Sequence, residues 1–157
     1  MADGDLYQRD FYAWTQAQGR ALRAVASGGN APVDWENVAE EIESLGRSDR
    51  REVASRIRTI VEHLIKLSVS PAEPPRRGWI ATVLRTRQDL ADVLNDSPSL
   101  RREVPAILRE IGPEAAKIAA VELAGFGEAA PEIQARLHAT GFTVEQVLGD
   151  WLPDAPG

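Results

Sequence analysis

Four polar residues stand beside or within apolar stripes when the chain is read as helix: Asp10, Glu41, His63 and Arg87. Arg87 is the most constrained. It falls among Ile80, Val83, Leu84, Leu90 and Leu94, cannot shed its charge, and must either snorkel to water or meet a partner. A buried guanidinium left alone would consume much of a domain's net stability. The expectation is that Arg87 pairs with Asp10, Glu41 or both, with His63 close by. Such a cluster could do acid–base work, because His63 titrates near neutrality, the Glu41 carboxylate would fix its tautomer, and Arg87 would hold an anionic group. The same four residues could instead form a buried network that sets helix register.

Other chemistries fit less well. The chain has no cysteine, and neither of its two histidines, His63 and His138, has glutamate three positions earlier. The Glu-x-x-His units of di-iron bundles are therefore missing, and neither a metal site nor a cofactor is expected. No glycine-rich phosphate loop follows a strand, and no serine elbow is present. Trp79 follows Pro74-Pro75-Arg76-Arg77-Gly78. Exposed beside Arg76 and Arg77, it would suit a binding surface.

The elements that must place these residues are helical throughout, since no segment alternates strictly enough to require a strand. A first helix is predicted over about Asp5 to Val25, with Tyr7, Phe11, Trp14, Gln18, Leu22 and Val25 on one side. Asp34 caps a second, whose inner face is Val38, Ile42 and Leu45, with Glu36, Glu40 and Glu43 opposite on a solvated face and Glu41 flanking the stripe. Gly46 ends or kinks it. A third helix carries Val53, Ile57, Ile60, Val61, Leu64 and Leu67, and the prolines at 71, 74 and 75 end it. A fourth is expected from about Trp79 to Asn95. After the Asp96-Ser97-Pro98-Ser99 turn, a fifth ends at Gly112-Pro113 and a small-residue helix follows over Glu114 to Ala124. Pro131 opens a short helix ending at His138, and a Thr143-Val144-Glu145-Gln146 capping box starts the last. The fold class is all-α: a single domain over residues 1–157, a bundle of about four longer core helices plus shorter C-terminal ones.

Charge is unevenly spread within a net −6: residues 1–46 hold eight acids against three bases, 47–109 thirteen bases against eight acids, and 110–157 eight acids against two bases. Basic central helices packed beside acidic terminal ones explain this, and overall acidity argues against nucleic acid as a partner. The acidic N-terminus and the absence of a long apolar run point to a cytoplasmic protein with no membrane partner.

Several stretches together resemble a bacterial family catalogued as domain of unknown function number twenty-nine. They are Asp10-Phe11-Tyr12-Ala13-Trp14-Thr15, the run from Asp34 to Ser48, His63-Leu64-Ile65-Lys66, Trp79 through Gln88, Asp96-Ser97-Pro98-Ser99-Leu100-Arg101, and Thr143 to Leu148. The resemblance spans nearly the whole chain and departs from the family pattern near Gly127 to Ala139. It implies an all-helical, cytoplasmic bacterial domain and carries no activity, cofactor or catalytic residue. The leading expectation is a non-enzymatic helical interaction module that meets another protein or a second copy of itself. The alternative is a small metal-independent enzyme or anion-binding protein, with Glu41 and His63 as catalytic candidates and Asp10 and Arg87 as binding residues.

Overall fold

The computed structural model describes residues 3–28, 33–125 and 141–156. Among them are six α-helices and one 3-10 helix, and no strand: α1 (Asp3–Arg9), α2 (Phe11–Ala26), α3 (Trp35–Val69), α4 (Glu73–Asp96), η1 (Pro98–Glu103), α5 (Val104–Gly125) and α6 (Val144–Leu148). The all-α expectation holds, with four long helices and shorter ones beside them. The short helix expected between Pro131 and His138, and the departure near Gly127 to Ala139, lie outside the described residues.

Four boundaries differ from the sequence reading. The first helix is two, because Asp10 leaves helical geometry (φ −156°, ψ 87°) and its carboxylate accepts the Ala13 N–H at 2.9 Å as the N-cap of α2. The second and third are one helix, since α3 runs unbroken through Gly46. A mid-helix glycine costs about 1 kcal/mol against alanine, and packing offsets it: a Cβ at Gly46 would overlap the Thr15 side chain and lie 3.2 Å from Tyr12. Helix α4 starts at Glu73, not near Trp79. Pro74 and Pro75 fall in its first turn, where N–H groups have no helical acceptor to lose. Helix α5 continues through Gly112-Pro113, since Val104, Ile107, Ile111, Ala115, Ala119 and Leu123 form one buried stripe. Burial along that whole stripe outweighs the one hydrogen bond that Pro113 removes.

The chain divides into two compact units. Unit 1 comprises Met1–Val53 and Ala91–Glu103, and unit 2 comprises Ala54–Leu90 and Val104–Gly157, so α3 and α4 contribute to both. Unit 2 holds the large aliphatic core: Ile57, Ile60, Leu64, Ile65 and Leu67 from α3, Val83 and Leu90 from α4, the α5 stripe, and Val147 from α6. Unit 1 has a sparse core, whose fully enclosed apolar residues are Ala39, Val53, Leu94 and Leu100.

A polar node organises unit 1. The Asp10 carboxylate accepts from the Ser99 N–H at 2.7 Å and the Ser99 hydroxyl at 2.8 Å. The Ser97 hydroxyl accepts from the Tyr12 N–H at 3.1 Å and donates to Asp49 at 3.0 Å. The Asp-Ser-Pro-Ser turn thereby fastens η1 to the start of α2 and to α3. Burial pushes the Asp49 carboxyl above the usual range, and the Ser97 hydroxyl partly opposes this.

Candidate functional site

Arg87 does point inward, with 9% of its surface exposed. Its guanidinium is met by backbone carbonyls and not by the carboxylates expected of Asp10 and Glu41. Nε donates to Val147 at 2.9 Å, and Nη2 to Gln146 at 2.6 Å and Trp151 at 2.8 Å. Carbonyls at the end of α6 lack helical donors, so a cation with a rigid fork satisfies several at once. Burial lowers the Arg87 pKa, and the charge of Asp150 works against that shift. Arg76 repeats the device: Nη1 donates to the Leu67 carbonyl at 2.9 Å and Nη2 to that of Pro153 at 2.8 Å. Eleven residues are close to three helical turns, so Arg76 and Arg87 share one face of α4. Together they strap residues 146–153 to it. That spacing was visible in the sequence; the carbonyls it serves were not.

Asp10 serves as cap and tie within unit 1, and its carboxylate is fully engaged there. Glu41 is exposed on α3. The four-residue cluster is thus distributed: Asp10 and Glu41 belong to unit 1, His63 and Arg87 to unit 2. The acid–base pairing of Glu41 with His63 has no geometric support.

His63 has a different neighbourhood in unit 2. Its Nδ1 lies 2.8 Å from the Thr59 carbonyl, and its Nε2 is 3.5 Å from the Lys66 ammonium. A carbonyl only accepts and an ammonium only donates, so the ring is neutral with its proton on Nδ1. Lys66 is 2% exposed, ion-paired with Glu122, and sits 5.7 Å from the centre of the Trp79 ring. Sequence reasoning noted Lys66 beside His63 but missed Glu122, which lies 56 positions further on. Burial holds the His63 pKa below its ordinary value, and the Lys66 charge adds to that shift. A ring whose basic nitrogen already faces a cation is poorly placed to take a proton.

The sign of the stability effect follows. The unfolded chain takes this proton at a higher pH than the native state, so His63 costs stability as pH falls through its unfolded value of about 6.5. Between about pH 7.5 and about pH 5.5, the urea midpoint of the wild type is expected to drop further than that of His63→Gln. Parallel drops in the two proteins would remove His63 as the origin.

Trp79 is 7% exposed, with its ring against Lys66. The exposed binding surface expected around it is therefore corrected: starting α4 at Glu73 turns Trp79 inward, and Arg76 is spent on carbonyls. Of Arg76, Arg77 and Trp79, Arg77 is the one exposed.

The most unusual surface is in unit 1. Helix α2 buries Thr15 and Gly19, and α3 buries Ala39 and Gly46. A Cβ on Gly19 would overlap the Glu43 side chain, which lies across the glycine. Arg23 of α2 is ion-paired with Glu36 at 2.8 Å, with Glu40 at 3.6 Å, and with Glu43. Of the three glutamates expected on a solvated face, Glu36 and Glu40 are exposed as they pair with Arg23, whereas Glu43 is half-buried against α2; of the apolar stripe, Ile42 is half-buried and Val38 and Leu45 are exposed. Val38 is 37% and Leu45 51% exposed. Leu84, expected inward on α4, is also exposed. On the N-terminal helices, Tyr7 (47%) and Val25 (52%) are open to solvent, while Phe11, Trp14 and Leu22 are half-buried. The rings of Tyr7 and Trp14 meet edge-on at 4.8 Å, and Phe11 stacks on Trp14 at 5.9 Å.

Among the described residues no three His, Asp or Glu side chains converge as metal ligands, and no helix is long and apolar enough to cross a membrane. A family model described as "Domain of unknown function DUF29" matches residues 6–152. The chain is similar to an alpha-helical protein of unknown function from Rhodospirillum rubrum ATCC 11170, known from a crystal structure. The two are 26% identical with a TM-score of 0.63, over 87% of this chain and 98% of the other. No curated protein matches the chain.

Proposed function

We propose that this chain, which belongs to the DUF29 family over nearly its whole length, is a non-enzymatic interaction module of the bacterial cytoplasm that works without metal or cofactor. One observation carries the reading: in unit 1, Tyr7, Val25, Val38 and Leu45 are exposed on α1, α2 and α3, beside the half-buried Phe11, Trp14 and Leu22. Large apolar groups left in water on one small unit are a standing free-energy source for association.

The first partner is a second copy of the chain. The side of α1 and α2 formed by Tyr7, Phe11, Trp14, Gln18, Ala21, Leu22 and Val25 is uncharged apart from Asp10, whose carboxylate is taken up by Ser99. Two such stripes meet across a two-fold axis without like-charge repulsion, and their aromatic rings supply contact area at low entropy cost. Sedimentation velocity of the full chain over a range of concentrations tests this. Val25→Glu is expected to weaken self-association at least about ten-fold, equivalent to about 1.4 kcal/mol, with little change in thermal midpoint because Val25 is exposed. A chain that stays monomeric up to about 1 mM, or a dimer indifferent to Val25→Glu, would overturn the reading.

A further inference from the structure

Unit 2 contains a cavity that the interaction reading does not use. Its volume is about 660 Å3, and its walls include Val61 and Ile65 of α3, Leu108 and Ala116 of α5, Phe142, and Val144 at the start of α6. Val61 and Ile65 are almost wholly enclosed and form an apolar floor. Gly112 and Pro113 also line it. Among the described residues a Cβ at Gly112 would meet nothing within 4 Å. Among the described lining residues Arg109 is the one that carries a charge. It is exposed and carries no ion pair or hydrogen bond among the described residues. A volume of this size lies within the range of small-molecule sites, which are mostly apolar with a few polar groups that orient the ligand.

We infer that this cavity binds a linear aliphatic monocarboxylate, with the tail over Val61 and Ile65 and the headgroup on the Arg109 guanidinium. The charge count selects the class. One guanidinium matches one carboxylate in bidentate geometry, whereas a phosphate dianion would bring a second negative charge that no lining group among the described residues neutralises. The apolar walls select the tail, since a sugar or nucleotide would lose its hydrogen bonds to water on these surfaces. The inference rests on unit 2 alone and stands or falls separately from association through unit 1.

The test is isothermal titration of the full chain with octanoate, decanoate and dodecanoate below their micelle concentrations, with 1-decanol as the uncharged control. Saturable binding is expected, tightening about four-fold for each added methylene, the factor that corresponds to the free energy of burying one CH2. Arg109→Gln should weaken decanoate about ten-fold and leave 1-decanol unchanged, the loss of one charge-assisted contact. Ala116→Trp should abolish both, because the indole grows from α5 into the cavity. If that variant does not fold, Val144→Trp blocks the cavity from the 141–144 segment. No saturable heat with any chain length would overturn the inference. So would decanoate affinity that both tryptophan variants leave unchanged, or an Arg109→Gln effect equal for acid and alcohol.

Discussion

Arg87→Met is expected to destabilise the protein by about 4 kcal/mol, a loss in the range seen when a buried charged partner is removed. Methionine fills a similar volume but leaves the carbonyls of Gln146, Val147 and Trp151 without their donor. Arg87→Lys should recover little, because one ammonium cannot reproduce a fork that spans three acceptors. Hydrogen exchange gives the specific signature. Amides over residues 144–153 should lose protection in both variants well before the α5 core does, since the guanidinium supplies three of the bonds that, with the Arg76 bond to Pro153, fasten that segment to α4. A loss spread evenly over unit 2 would mean that Arg87 acts by filling space and not by satisfying carbonyls.

The second large effect belongs to Asp10→Ala, at about 3 kcal/mol. That figure combines an N-cap of about 1 kcal/mol with two hydrogen bonds to a charged acceptor at about 1 kcal/mol or more each. Asp10→Asn should lose roughly half as much, because its amide oxygen can still cap Ala13 but cannot accept with both ends. Glu41→Ala, in contrast, should stay within about 0.5 kcal/mol, as expected of an exposed position. Equilibrium denaturation of the three variants reads this out directly. An Asp10→Ala cost no larger than that of Glu41→Ala would show the Asp10–Ser99 tie to be energetically idle.

The contrast between these two acids marks how far the candidate site was legible. Both were singled out by position on a helical wheel, and for both the wheel missed the role: Asp10 interrupts the helix to cap a backbone group three residues away and to tie Ser99, 89 positions on. For Glu41 the wheel assumed that Val38, Ile42 and Leu45 face the interior. Gly19, Gly46, Thr15 and Ala39 overrule that assumption. They leave room for the Glu43 side chain over Gly19 and the Thr15 side chain over Gly46, on the side where Arg23 gathers Glu36, Glu40 and Glu43. The signal was present as small residues at helical spacing, Thr15 with Gly19 and Ala39 with Gly46, but hydrophobicity alone ranks such residues as neutral.

Helix content, the turn at Asp96-Ser97-Pro98-Ser99, the Asp34 cap on the Asn37 N–H and the Thr143–Gln146 capping box could all be read from the chain, as could the inward course of Arg87. Each depends on residues within about one helical turn, or on the cost of exposing an apolar stripe. Folding in three dimensions settled what Arg87 meets, which face α3 turns to α2, and that α3 and α5 run on through Gly46 and Pro113. Those outcomes depend on groups far apart in sequence: the carbonyls on Arg87 lie 59, 60 and 64 positions away. A charge that needs neutralising specifies the kind of partner it will accept, and any dipole or carboxylate brought close enough by packing can fill that place.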